Sequence, residues 1–129
     1  MSIDQQEEID LDPVTFEVLR NSYSNLVDRM AQQVLRTCYS FVLYNRDFSN
    51  CLNNAAGDTV AQGSQDIAAH VGTLHNTCKE VIDYYDGDIQ PGDVILSNDP
   101  YRGGTHINDT RVFRPVFHEG ELIAFMQSN

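Results

Sequence analysis

The segment Ser97-Asn98-Asp99-Pro100-Tyr101-Arg102-Gly103-Gly104-Thr105-His106-Ile107-Asn108-Asp109-Thr110 puts an imidazole, carboxylates and a guanidinium around two adjacent glycines. Imidazole and carboxylate are the donors of zinc, manganese and iron sites, and a guanidinium is the side chain best shaped to hold a carboxylate or phosphate. His106 and Asp109 stand three residues apart, a spacing that would send them to opposite faces of an extended strand. Both can serve one ion only if the chain bends between them, and Gly103-Gly104 permits bends and close ligand approach that other residues forbid. Two donors do not complete a site: structural zinc takes four protein ligands and catalytic zinc usually three, so another donor must come from elsewhere. An ordinary polar surface connection accounts for the same residues about equally well, because loops are polar and a His-x-x-Asp pair is common by chance.

This loop needs elements to position it. Val94-Ile95-Leu96 before it and Val112-Phe113-Arg114-Pro115-Val116-Phe117 after it read as strands leading in and out, and Asn98-Asp99-Pro100 favours a turn between them. Further upstream, Asp12 suits a helix N-cap and Pro13 a first helical position. Leu19, Tyr23, Leu26, Val27, Met30, Val34, Leu35 and Cys38 then recur at helical spacing, which predicts a long helix to about Tyr39 with that stripe in the core. Phe41 to Tyr44 reads as a strand, followed by a hairpin whose turn contains Asn53, Asn54, Gly57 and Asp58. Leu74, Cys78, Val81, Ile82 and Tyr85 predict a second helix from Val71, closed by Gly87, with His70 at its mouth. The last apolar run, Leu122 to Met126, reads as a C-terminal strand with an unpaired edge that needs a partner. The expected fold class is therefore α+β: a long N-terminal helix, strands and hairpins, a second helix, and C-terminal antiparallel strands. Residues 1–11 read as an acidic, flexible leader, and 12–129 as the structured part.

Composition narrows the function. A chain of 129 residues suits one domain with a real core. Its net charge of −11, with Lys79 the sole lysine, argues against nucleic acid and anionic membranes as partners. The acidic N-terminus does not resemble a secretory signal, and Cys38, Cys51 and Cys78 lack Cys-x-x-Cys spacing, so reduced thiols and a cytoplasmic location are expected. The acidic run Asp83, Asp86, Asp88, Asp93 lacks the spacing of a calcium loop and reads as a solvated turn. No phosphate-cradling Gly-x-x-x-x-Gly-Lys-Ser occurs, so the chain itself is not expected to hydrolyse ATP.

Several stretches are collinear with one known family. Asp12-Pro13-Val14-Thr15-Phe16-Glu17-Val18, Arg46-Asp47-Phe48-Ser49, His70-Val71-Gly72, Gln90-Pro91-Gly92-Asp93-Val94, the Asn98 to His106 segment and Pro115-Val116-Phe117 resemble the N-terminal region of the hydantoinase B/oxoprolinase family. That resemblance spans nearly the whole chain from Asp12. It implies a B-type subunit of an ATP-dependent complex that hydrolyses cyclic amides or carboxylates ketones. The implied partner is a hydantoinase A-type subunit with an actin-like ATPase fold, which uses the ATP to phosphorylate a carbonyl or amide oxygen. It further implies a divalent metal, zinc or manganese, on His106 and Asp109 plus a downstream histidine that has no counterpart before Asn129. Family subunits run to several hundred residues, so the resemblance makes this chain an N-terminal fragment or split part, and the remainder of the B-type subunit a second partner.

Within that frame Arg102 is placed to clamp an anionic intermediate and His70 to contact substrate. Asp99 is placed to orient His106, and Arg46-Asp47 to form an internal salt bridge shaping the site. The alternative is a non-catalytic acidic module that assembles with a larger partner through its C-terminal strand edge.

Overall fold

The computed structural model describes residues 10–67, 70 and 72–129. Residues 1–9 of the expected leader, and Val71 at the expected start of the second helix, lie outside them. Among the described residues no helix is long and apolar enough to cross a membrane.

Helix α1, Pro13–Thr37, begins where its capping chemistry dictates: Asp12 Oδ1 accepts from the amides of Val14 and Thr15 at 3.0 and 3.1 Å. A single helical turn, α2, follows at Phe41–Tyr44. Strands β1, Asn50–Asn54, and β2, Thr59–Gln62, form an antiparallel hairpin. Its turn is built by Asn54, whose Oδ1 accepts from Ala56 N at 3.0 Å and Asp58 N at 2.8 Å, with Gly57 at φ 85°. Helix α3, Leu74–Tyr85, ends at Asp86 in the left-handed region, followed by Gly87. Strands β3, Ile95–Ser97, β4, Arg111–His118, and β5, Glu121–Ser128, complete an antiparallel sheet in the order β2-β1-β5-β4-β3. The α+β class expected from the sequence is the observed one.

The core follows from strand alternation. Phe113 faces Ile95 across one ladder and Gln127 across the other, while Phe125 stands opposite Asn53 and Pro115. The resulting sheet face packs against α3, so that Cys78 and Val81 meet Ile89, Ile95, Phe113 and Phe125. Fully burying a side chain of that kind stabilises by roughly 1.5–3 kcal/mol, and this cluster is the main apolar anchor beneath the site loop. Beside it lies a buried polar patch in which Asn53 Nδ2 donates to Gln127 Oε1 at 2.9 Å and Thr59 Oγ1 donates to Asn53 Oδ1 at 3.0 Å.

Three expectations are corrected here. Phe41–Tyr44 is helix rather than strand; an apolar run of four has no period long enough to separate the two. The α1 stripe is only partly core: Val27 is buried, Leu19, Met30, Val34, Leu35 and Cys38 are half-buried, and Tyr23 and Leu26 are exposed, because helical periodicity marks an apolar face without fixing what covers it. The C-terminal strand has no open edge. β5 pairs with β1 from Asn50↔Ser128 to Asn54↔Ala124 and with β4 on its other side, so it lies at the middle of the sheet and the edges are β2 and β3. Assembly through a C-terminal strand edge is thereby withdrawn.

All three cysteines are free; Cys51 and Cys78 are buried and Cys38 is partly buried. Burial pushes the Cys51 and Cys78 thiols up to about 12. Since the thiolate is the nucleophile, a thiol reagent at pH 8 is expected to modify Cys38 in the native chain and all three cysteines only in denaturant. Rapid native labelling of Cys51 or Cys78, read by mass spectrometry, would contradict the packing described.

Candidate functional site

The loop of residues 98–110 joins β3 to β4, and its fold is set by three ties. Asp99 Oδ1 accepts from Tyr101 N at 2.9 Å, closing the Asn-Asp-Pro turn. Asn98 Nδ2 donates to Ile107 O at 3.2 Å and draws the two arms together. Gly103, at φ 75°, lays its backbone on the start of α3, where its carbonyl accepts from Thr77 Oγ1 at 2.7 Å. A Cβ at Gly104 would stand 2.6 Å from Asp99 O, so this glycine is required by the close approach of the loop to itself.

The bend between His106 and Asp109 is a turn closed by Asp109 N donating to His106 O at 3.0 Å. It brings both side chains to one side, with His106 Nδ1 3.2 Å from Asp109 Oδ1. His106 is 71% exposed and Asp109 16% exposed at the side chain. The Thr105 hydroxyl donates to the other oxygen of Asp109. With the ring protonated, the pair is an ion pair. With the ring neutral, its spacing is close to that of two ligands on one ion, because donors at about 2.1 Å from a tetrahedral centre stand about 3.4 Å apart. The two donors thus fit a zinc- or manganese-type centre in chemistry and separation. Among the described residues no group of three or more His, Cys, Asp or Glu gathers to complete one.

Arg102 is half exposed. Its guanidinium lies 5.2 Å over the Tyr84 ring and 3.9 Å from the carboxylates of both Glu80 and Asp99. It lines a cleft of about 300 Å³ together with Glu80, Tyr84, Leu96, Asn98 and Asp99. These long pairs hold the guanidinium loosely, and its exposed face is open to an incoming anion.

Among the described residues no hydrogen bond or ion pair joins the other residues expected at the site to His106 or Asp109. His70 is buried at 7% exposure, with Nδ1 2.9 Å from Ser49 Oγ. Asp99 engages Tyr101 N and Arg102 rather than His106, since the Asn-Asp-Pro turn spends its carboxylate locally. Among the described residues no ion pair joins Arg46 to Asp47; both are exposed, where water competes with such a pair. Arg46 instead lines a second cleft of about 140 Å³ with Asp28, Gln32, Phe48, Ser64 and Asp66.

The residue that sequence reasoning missed is Arg111. It is 1% exposed, beneath the loop, with Nη1 3.3 Å from Gly103 O and Nη2 3.4 Å from Thr105 Oγ1 and 3.5 Å from Thr73 Oγ1. Burial lowers its pKa from the ordinary value, opposed by the charge of Asp109. The strand pattern carried the signal: Arg111 shares a parity with the core residues Phe113 and Pro115. Thr73 Oγ1 also donates to His70 O at 3.0 Å, so Arg111 links the His70 segment to the loop.

Comparison with known proteins gives the class to which this α+β domain belongs. Residues 12–129 match the sequence model of the hydantoinase B/oxoprolinase family, and the chain belongs to that family. It is 33% identical over 120 residues to the 5-oxoprolinase of Dictyostelium discoideum, covering 92% of this chain and 9% of that one. It is 36% identical over 114 residues to the caprolactamase subunit beta of Pseudomonas jessenii, covering 88% of this chain and 19% of that one. The fold superposes on the crystal structure of the ATP-dependent caprolactamase from Pseudomonas jessenii with a TM-score of 0.76 at 29% identity, covering 92% of this chain and 21% of that one. It superposes on nucleotide-free acetone carboxylase, a structure bearing on ATP-dependent acetone carboxylation, with a TM-score of 0.81 at 26% identity, covering 91% of this chain and 16% of that one. The chain therefore spans about a tenth to a fifth of the length of the relatives it matches.

Proposed function

We propose that this chain supplies the N-terminal, metal-loop portion of the B-type subunit in an ATP-dependent complex that hydrolyses a cyclic amide or carboxylates a ketone. The observation that carries this reading is the 3.2 Å approach of His106 Nδ1 to Asp109 Oδ1 on a loop of this family. His106 and Asp109 would hold a divalent ion, zinc or manganese, with a further ligand from the remainder of the B-type polypeptide. When bound, such an ion polarises a carbonyl or phosphoryl oxygen and lowers the pKa of a bound water.

The chain's own residues have separate tasks. Thr105 orients the Asp109 carboxylate through its hydroxyl. Arg102, half exposed beside the cleft, receives an anionic group of the activated substrate and exchanges its long contacts to Glu80 and Asp99 for a bidentate one. ATP is used by an A-type, actin-like partner subunit. The exposed apolar residues on the first turns of α1 suit a chain that works inside a larger assembly. Three free thiols suit the cytoplasm.

Co-expression with an A-type ATPase subunit and the rest of a B-type polypeptide tests the proposal, with 5-oxoproline, hydantoin, caprolactam, and acetone plus bicarbonate as substrates. ATP-dependent consumption of one of them is expected only when this chain is present. Turnover that is the same with and without the chain, on every substrate, overturns it.

A further inference from the structure

Arg111 is a fully buried cation with poor partners. All three of its contacts are long and run to neutral acceptors: Gly103 O at 3.3 Å, Thr105 Oγ1 at 3.4 Å and Thr73 Oγ1 at 3.5 Å. Among the described residues its Nε has no hydrogen-bond partner and no carboxylate lies within ion-pair distance of the guanidinium. Burying a charge without a direct counter-ion is costly, so the guanidinium needs an indirect one. Thr105 provides the connection: its hydroxyl accepts from Arg111 Nη2 and donates to the Asp109 carboxylate. The same guanidinium grips three separate pieces of chain, namely the glycine bend at Gly103, the Thr105 side chain and Thr73 just before α3. Gly104 packs on it as well, since a Cβ there would lie 3.0 Å from Arg111 Nη1.

We infer that Arg111 is a positioning residue for the His106-x-x-Asp109 pair: it pins the Gly103–Thr105 bend to the start of α3 and, through the Thr105 hydroxyl, fixes the Asp109 carboxylate beside the His106 ring. The consequence for metal binding rests on the reading of those two residues as ligands; the anchoring of the loop does not. Charge alone is insufficient for this task, because the planar fork is what reaches three acceptors at once. Arg111→Lys is therefore a partial substitute, and Arg111→Met, which keeps bulk and loses every donor, is not one.

The test uses the full 129-residue chain. Trypsin cuts after the exposed Arg102, next to the pinned Gly103, so the rate of cleavage of the Arg102–Gly103 bond, summed over all products beginning at Gly103 because residue 111 is itself a tryptic site in the wild type, reports local opening of the bend. Arg111→Met is expected to raise that rate about tenfold, the loss of roughly one hydrogen bond's worth of protection. Arg111→Lys should fall between the two, and Thr105→Val should add little once Arg111 is methionine. Phe113→Leu is the control for core loosening: it lowers global stability without touching a loop contact. Titration with manganese alone, followed by electron paramagnetic resonance, gives the second readout, with an expected loss of about tenfold or more in affinity for Arg111→Met. Faster cleavage together with weaker manganese binding supports both anchor and ligand pair, and faster cleavage with unchanged manganese binding keeps the anchor while refuting the ligand reading. Cleavage at Arg102 that is no faster in Arg111→Met than in Phe113→Leu overturns the inference. If Arg111→Met does not fold, Arg111→Lys carries the test, and a wild-type cleavage rate in that variant overturns it equally.

Discussion

His106→Ala is expected to empty the divalent-metal site proposed for the assembled complex while leaving this chain folded. The ring is 71% exposed and its recorded partner is Asp109, so its removal should change stability by no more than about 0.5 kcal/mol in either direction. The effect on metal is of another size. Two ligands leave a divalent ion largely hydrated, and a third fixes a stable geometry; removing one of three therefore costs the site rather than trimming it. Metal content of the purified complex, measured by mass spectrometry, should fall from stoichiometric to background. The hydrolytic or carboxylating step should disappear with it, while ATP consumption by the partner subunit continues uncoupled. The isolated chain should bind the ion weakly before the change and more weakly after it. Asp99→Asn is a useful contrast: its carboxylate is spent on Tyr101 N and Arg102, so metal content should stay near wild type. Unchanged metal in His106→Ala would show that the loop is structural and remove the basis for the proposed function.

What the sequence disclosed and what it hid divide along local and non-local lines. The start of α1 was legible because Asp12 and Pro13 act on their immediate neighbours. The Asn54 to Asp58 turn and the closure of α3 near Gly87 were legible for the same reason. So was the site loop, whose strands lead in and out as the flanking apolar runs required. The place of β5 was not. Its apolar run announced a strand, but the partner on one flank, β1, lies more than 70 residues upstream, and nothing in Leu122 to Met126 encodes that pairing. Exposure of the α1 stripe was hidden likewise, since helical periodicity states that a face is apolar and not what covers it.

The same division runs through the candidate site. His106 and Asp109 were identifiable by type and spacing, and a local turn suffices to bring them to one side. Asp99 was assigned to the wrong neighbour because an Asn-Asp-Pro turn competes for its carboxylate at shorter range. Arg46 and Asp47 failed as a pair because both stay exposed, where adjacency in sequence gives an ion pair too little advantage over water to form. Arg111 and the Asn53–Gln127 patch escaped notice for the opposite reason. Buried polar residues are invisible to a reading that assigns apolar types to the core, and only strand parity with Phe113 and Phe125 places them there.

Gly103→Ala is expected to unseat the loop from α3. At φ 75° the residue sits in the left-handed region, where a side chain costs about 1 kcal/mol or more. The added Cβ would also stand 2.9 Å from Thr77 N and 3.0 Å from Thr77 Cα, both backbone atoms of α3 that cannot rotate away. Such overpacking costs about a further 1–3 kcal/mol. Relief requires lifting the loop, which breaks the Thr77 hydroxyl contact to Gly103 O at 2.7 Å and the Arg111 contact at 3.3 Å. Gly120 separates the two costs: it has φ 87° in the β4–β5 turn, but a Cβ there would meet nothing within 4 Å. Gly120→Ala should therefore lose about 1 kcal/mol and Gly103→Ala about 2–4 kcal/mol in urea unfolding, the second with slackened protection at Arg102 and weakened metal binding. Equal losses in the two variants would mean that Gly103 serves only its backbone angle, and that the loop is not seated on α3 as described.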